Sequence, residues 1–461
     1  MARISKNLLL FFSIFFCLED IFPQSENASK KDDILVEEIE LNIQEKYENI
    51  EPKLSNWNLD EIEKYAVSNN PGYLAEKQNI GIARGELITA ALYKNPVFSY
   101  QGQFIPIYND NPASRLPFLT TPSSSGGPYE SAPMITQDID VNGIIEQKSK
   151  VAKQAFQAQI ANFADFDRIF RLRLRQNYWS HIYITELINF QKEFYENYND
   201  LLKLTKFRAE KGDISQLEYD RLFLERLRIE KEYREADIQR AQIAKELRFL
   251  IGISPSNQSL KLKGSLNFKT TSELGLNLKE FNIEDRPDLQ ASQITVYQNK
   301  LNVELKRKEG ETSFVNLGAE FRHKGREGYG GIFVSVPLKV YDRNQGEIVK
   351  AEEQYKQSIL KLESKRKHIY AEVRASIREL NSRENLLINY RNIKLIEKNQ
   401  EVHEKYTIAY MKGATNLVTF LEAEKNYLSV LRSYYEELYL YYNAIELFRA
   451  SIGKLGNAGN D

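Results

Sequence analysis

The sequence predicts a mainly helical chain with a small amount of membrane-type β-structure, built as two copies of one module. Three observations predict it. Two stretches free of proline, residues 143–212 and 346–413, keep a helical pattern throughout. Each stretch follows two short segments that alternate apolar and polar residues. The punctuation "KGDIS" at Lys211 recurs as "KGATN" at Lys412, and each glycine is followed by another forty residues on, Gly252 and Gly453.

The chain begins with Arg3 and Lys6 ahead of an apolar run over residues 8–18. That run is too short to cross a bilayer and has the form of a secretory signal, which sets residues 1–24 apart as a signal peptide. Cys17, the only cysteine, is either a lipid-attachment site or part of the apolar signal core, and the bulky Phe16 before it argues for the second. The mature chain then has no disulfide and no thiol ligand. Residues 25–56 are acidic and irregular, an arm that serves as a tether or stays unstructured.

Composition narrows the rest. The 461 residues exceed one ordinary core, and a formal net charge of −1 gives no global field to hold nucleic acid. Mean hydropathy is −0.51, with 28% charged residues, which suits long water-exposed helices.

The duplication comes next. Pro71 matches Pro287 and Phe104 matches Phe321, at offsets of 216 and 217. "DIDVNG", ending at Gly143, matches "YDRNQG", ending at Gly346; the later glycines match at an offset of 201. The offset falls because the first inter-strand loop, 106–133, is longer than the second, 323–330, where "GYGG" reads as a hairpin loop. The organisation is therefore repeat 1 over 57–253, a linker over 254–284 at the rods' middle, repeat 2 over 285–453, and a tail over 454–461.

The four strands are read from period-two alternation. Phe98, Tyr100 and Phe104 oppose Ser99, Gln101 and Gln103; Ile135, Ile139 and Val141 oppose Thr136, Asp138 and Asp140. Val315, Leu317, Ala319 and Phe321 oppose Asn316, Glu320 and Arg322; Ile332, Val334, Val336, Leu338 and Val340 oppose Ser335 and Lys339. A soluble half-buried sheet would show the same alternation.

The helices discriminate further. Phe156, Phe163 and Phe170 recur every seventh residue, as do Val373, Leu380 and Leu387, a coiled-coil seam. A helix of this length is a rod of about 100 Å. The return helix to Gly252 or Gly453, plus the helix before each first strand (71–96 and 287–310), sums to the length of that rod. Lys211-Gly212 and Lys412-Gly413 are then the turns at the tips of two helical hairpins, where glycine supplies the backbone freedom a reversal needs.

Four strands cannot close a barrel, since roughly eight are needed, and lipid does not tolerate open sheet edges. Three chains supply twelve strands. An obligate homotrimer follows: a twelve-stranded β-barrel, four strands per chain, continued by a long α-helical coiled-coil tunnel.

At this point the chain resembles the TolC-like outer-membrane efflux and secretion channels, most closely the outer-membrane factors of heavy-metal-type resistance-nodulation-division pumps. The resemblance spans about residues 57–453 and rests on "ARGELITAALYKNP", "RAEKGDISQLEYDRL", "RPDLQA", "VPLKVYDRNQGEI" and "YMKGATNLVTFLEAEKNYL". It implies a passive exit duct in outer-membrane lipid, its tunnel in the periplasm. The expected partners are a periplasmic adaptor (a membrane fusion protein) and an inner-membrane resistance-nodulation-division or ATP-driven transporter.

The resemblance also assigns residues. Adaptor docking falls to Arg208, Gly212, Ile214 and Ser215 at the first tip and to Gly413, Ala414, Thr415 and Leu417 at the second. The pore constriction falls to Glu422, Thr419 and Tyr410. Thr419 stands where the family carries an acidic residue, so one carboxylate ring is expected and a weaker cation preference.

No enzymatic reading survives. His181, His323, His368 and His403 lack metal-ligand spacing, and there is no nucleophile triad, phosphate loop or dinucleotide fingerprint. No metal or cofactor is expected. The cargo stays open between metal cations, drugs and, as in a type I secretion duct, polypeptides. The rival reading from another class is a periplasmic coiled-coil adaptor or scaffold, though adaptors carry one hairpin and not two.

Overall fold

The computed structural model describes residues 57–103, 130–253, 260–278, 281–324 and 327–455. The signal peptide with Cys17, the acidic arm, Phe104, most of the first inter-strand loop and the end of the tail lie outside the described residues. Among those described, no helix is long and apolar enough to cross a membrane.

The chain divides into two compact units. The first holds α1 (Leu59–Asn69), the part of α3 (Ile144–Glu210) from Ser180 onward, and α4 (Gln216–Ile251). Helix α1 opens with a capping box: Asn58 accepts from the Glu61 amide, and Glu61 accepts from the Asn58 amide. Ile184, Leu187 and Ile188 of α3 bury against Ala236 of α4, an apolar hairpin interior. Trp57 makes a parallel bridge to Leu262.

The second unit contains α2 (Pro71–Ala90), β1 (Val97–Gln103), β2 (Glu130–Asp140), the first part of α3, α5 (Pro287–Gly310), β3 (Phe314–Lys324), β4 (Glu327–Ser335), α6 (Gln345–Asn392), α7 (Leu395–Met411) and α8 (Leu417–Ser451). The four strands form one antiparallel sheet in the order β1-β2-β3-β4. Its register joins Phe98, Ile135, Ala319 and Ile332 into one cross-strand row, and Val97, Thr136, Gly318 and Phe333 into the next. Residues paired across strands share a face. Most of the apolar residues singled out by alternation therefore lie on one face, and Ser99, Asp138, Asn316 and Glu320 on the other. On the polar face Lys94 pairs with Asp138 at 3.0 Å, and Asn316 donates to the same carboxylate at 2.8 Å.

Three details depart from the sequence reading. The fourth strand lies at 327–335 and not 332–340, so "GYGG" is part of a strand; Pro337, which has no N–H to donate, stands just beyond its end. The second long helix is broken: α6 ends at Asn392, Lys394 adopts a left-handed φ of 50°, and α7 starts at Leu395. The first, α3, runs unbroken. The third concerns the strand-to-helix joint. Gly143 has a φ of 67°, but Gly346 is helical, and the left-handed residue there is Asn344 (φ 62°). Left-handed residues thus occur at Gly143 and Asn344, Gly212 and Gly413, and Gly252 and Gly453, each pair 201 apart by subtraction.

Four of the six heptad residues are buried, and Phe156 and Phe163 are half-buried. Val373, Leu380 and Leu387 are at most 1% exposed, and Tyr73 packs its ring against Phe163 and Phe170. From Leu266 the linker lies along α6 and α8: Tyr441 and Tyr442 donate to the Lys269 and Asn267 carbonyls, and Glu384 accepts from the Thr271 amide and hydroxyl. Where α8 ends, two buried arginines take its last carbonyls, Arg168 from Ala450 (3.0 Å) and Arg286 from Ser451 (2.9 Å). Arg286 also binds Asp288 and Glu372. Burial alone would raise the Asp288 carboxyl, but the Arg286 hydrogen bonds and the nearby Arg286, Lys365 and Arg168 charges hold it below its ordinary value.

Candidate hairpin tips and pore-lining residues

Both tips are built from the same local chemistry. At the first, α3 ends at Glu210 and Gly212 turns left-handed with a φ of 81°. The Gly212 amide donates to Ala209 O (3.0 Å) and the Asp213 amide to Arg208 O (2.9 Å), the paired bonds of a Schellman ending. Three residues past the glycine, the Ser215 hydroxyl accepts from the Glu218 amide at 3.2 Å and starts α4. Arg208 and Ile214 are half-buried; Gly212 and Ser215 are exposed.

The second tip repeats this with other side chains. Gly413, at a φ of 71°, donates to Tyr410 O (3.0 Å), and Ala414 donates to Ala409 O (2.8 Å). Asn416 caps α8, its carboxamide oxygen accepting from the Thr419 amide (2.9 Å) and hydroxyl (3.0 Å). Gly413 and Ala414 are exposed, Thr415 is half-buried and Leu417 is buried. A Cβ on either Gly212 or Gly413 would meet nothing within 4 Å, so their conformation and not crowding selects glycine.

The three constriction candidates separate into two environments. Tyr410 is buried and stacks on Phe420, with ring centroids 4.6 Å apart. Thr419 and the exposed Glu422 lie together in a groove of about 260 Å³ between α7 and α8, with Asn399, Val402, His403, Tyr406 and Tyr427. In that groove His403 Nε2 contacts Glu424 at 2.7 Å, and its ring stacks on Tyr427 at 4.0 Å. The sequence reading named His403 only in setting aside a metal centre and did not single out Glu424. They are twenty-one residues apart, and only the hairpin geometry brings them together.

Among the described residues no group of three or more His, Cys, Asp or Glu is placed to hold a metal ion. The docking candidates of the first tip belong to the first unit, and those of the second tip to the second.

Comparison with known proteins fits this geometry. No curated protein matches the sequence. Residues 283–454 match the family described as outer membrane efflux protein. Solved structures match most of the chain in fold. The CmeC outer membrane channel of Campylobacter jejuni is 18% identical with a TM-score of 0.69, covering 90% of this chain and 89% of that one. A structure of CusC, reported for conformational changes in folding and transmembrane channel formation, is 15% identical with a TM-score of 0.68, covering 85% and 91%. The open state of the Neisseria gonorrhoeae MtrE outer membrane channel is 17% identical with a TM-score of 0.65, covering 86% and 89%.

The chain thus has the fold of an outer-membrane channel. Within that fold, residues 283–454, which hold the quoted "RPDLQA", "VPLKVYDRNQGEI" and "YMKGATNLVTFLEAEKNYL", match the outer membrane efflux proteins.

Proposed function

We propose that this chain is one protomer of a trimeric outer-membrane exit duct in a tripartite efflux system. The observation that carries the reading is the sheet. Among the described residues it has four strands, one apolar and one polar face, and outer strands, β1 and β4, that each pair on one side alone. Ile332 is 88% exposed and Phe98 70%. Such a face is at home in lipid, and lipid demands that both edges find partners. Three copies give twelve strands with no edge, the apolar face outward and the polar face lining water.

The rest of the reading follows from that closure. Residues 1–24 direct export, and two modules, 57–253 and 285–453, each supply a strand pair and a helical hairpin. The equal spacing of the left-handed residues supports the duplication. The hairpins continue the barrel into the periplasm, and the tips dock the adaptor through Arg208, Gly212, Ile214 and Ser215 and through Gly413, Ala414, Thr415 and Leu417. Transport is passive, with energy from an inner-membrane pump.

Glu422 stands exposed near the second tip, so threefold symmetry would make a ring of three carboxylates that concentrates cations. Thr419 supplies no second ring. The cargo is metal cations or drugs. Fractionation with single-channel recording tests the whole. A detergent-extracted outer-membrane trimer that conducts with cation preference, weakened in Glu422→Gln, is expected. A water-soluble monomer without conductance overturns the reading.

A further inference from the structure

The inference rests on the channel reading and names a cargo class for it. The groove between α7 and α8 is lined by Tyr406, which is exposed, and by Tyr427, whose ring stacks on His403. His403 is held in turn by the buried Glu424, so that carboxylate is already committed. Glu422 is the one carboxylate lining the groove. It is exposed and has no hydrogen bond or ion pair among the described residues. No lysine or arginine lines the groove, although the chain carries 63 of them.

The first hairpin is an internal comparison, because its turns have the same spacing. Counting back 201 residues, the interval between the left-handed residues, places Leu202 at the His403 position and Thr205 at the Tyr406 position. Arg221 then stands for Glu422, Leu222 for Ala423 and Arg226 for Tyr427. Leu222 is fully buried and fills its hairpin at that level, whereas the shorter Ala423 leaves room. Arg221 and Arg226 would repel a cation where Glu422 attracts one. The duplicated backbone therefore does not require the groove. Side chains particular to the second copy make it.

A bare metal ion suits this lining poorly. Such an ion needs several ligands, and among the described residues no group of three or more His, Cys, Asp or Glu is placed to hold one. An organic cation needs one counter-charge and aromatic faces for its alkyl groups. The volume of about 260 Å³ lies just under the roughly 300–1,000 Å³ usual for small-molecule sites, so the guest is compact. We propose that this groove binds a compact organic monocation, a quaternary or protonated amine. Tyr406 and Tyr427 lie against its carbon, and Glu422 balances its charge. Each chain of the trimer carries one such site near the second tip, and cationic amines are cargo of the duct.

Titration calorimetry of the extracted protein in a non-ionic detergent tests it, with benzyltrimethylammonium as the probe and benzyl alcohol and Mg²⁺ as controls. Saturable binding of the probe alone is expected. Tyr406→Thr and Ala423→Leu, which copy the first hairpin, and Glu422→Gln should each weaken it by about tenfold or more, while Tyr406→Phe retains it. Tyr406 is exposed, so its replacement tests the groove without disturbing the hairpin interior. No saturable binding, or binding unchanged in Tyr406→Thr and Ala423→Leu, overturns the proposal. Mg²⁺ binding as tightly as the probe overturns it too, in favour of simple charge attraction. A trimer that conducts yet gives any of these results leaves the channel reading standing, whereas a water-soluble monomer overturns both.

Discussion

The two long helices that lead to the tips span the same distance in sequence and are built differently. From Gly143 to Gly212, and from Asn344 to Gly413, each covers 69 residues by subtraction. The first is one helix; the second breaks at Ile393–Lys394. A lysine in the left-handed region costs about 1–2 kcal/mol, so packing on either side must hold the break in place. Because it adds and removes no residue, it leaves the tip chemistry in register. The punctuation fixes where a hairpin starts and turns, and leaves its middle free to diverge.

Their roots and interiors diverge too. The return helix α4 ends under a neutral amide, Asn70 donating to Phe249 O (2.9 Å) and Leu250 O (3.0 Å). The return helix α8 ends under two buried guanidinium groups. In the first hairpin His181 is buried with no hydrogen-bond partner at either ring nitrogen among the described residues. In the second, His403 is paired with Glu424.

These contrasts set four measurements, from the largest effect to the smallest. Arg286→Met takes the guanidinium from the buried Asp288, leaving it Lys365 at 3.2 Å, and the donor from the Ser451 carbonyl, and should cost about 3–5 kcal/mol in denaturant unfolding of the purified protein. Hydrogen exchange should place the loss in the second unit. Protection lost equally in both units would mean the roots are not independent.

His181 gives the next effect. Burial first, then the nearby Arg240 and Arg248 charges, lowers its pKa to about 4 from an ordinary 6.5. A depressed histidine keeps its full contribution above pH 6.5 and loses it as pH falls toward 4, because the unfolded chain takes the proton first. The loss is about 3 kcal/mol across that window. Unfolding of His181→Leu should lack this pH slope, while His403→Leu should retain it.

Removing the neutral cap should cost less than removing the charged one. Asn70→Ala is expected to lose about 1–2 kcal/mol. A cost equal to that of Arg286→Met would erase the distinction between the two roots. Last, Lys394→Gly should stabilise by about 1 kcal/mol by relieving the left-handed backbone. A loss of stability at that position would mean the lysine side chain holds the break.

Much of the fold was legible in the sequence because local rules govern it. Gly212 and Gly413 had to be turns, and the alternation around Ile135 and Leu317 had to give a two-faced strand. What failed was context. Asn344 took the left-handed role expected near Gly346, since Asn tolerates that region almost as glycine does. β4 started early because glycine-rich "GYGG" reads locally as a loop, yet pairs well against Phe321 and Arg322. The break at Lys394 has no local signal, as "NIKLIEK" is ordinary helical sequence. The turns themselves were legible at Gly212 and Gly413, and the His403–Glu424 contact was not, because long-range hairpin pairing sets it.

The central claim is that this sheet is whole only in threes. The most direct test is the mass of the detergent-extracted particle by light scattering, corrected for bound detergent. The account predicts three chains per particle, with monomers appearing only on unfolding. A stable, folded, single-chain particle in water without detergent would contradict it.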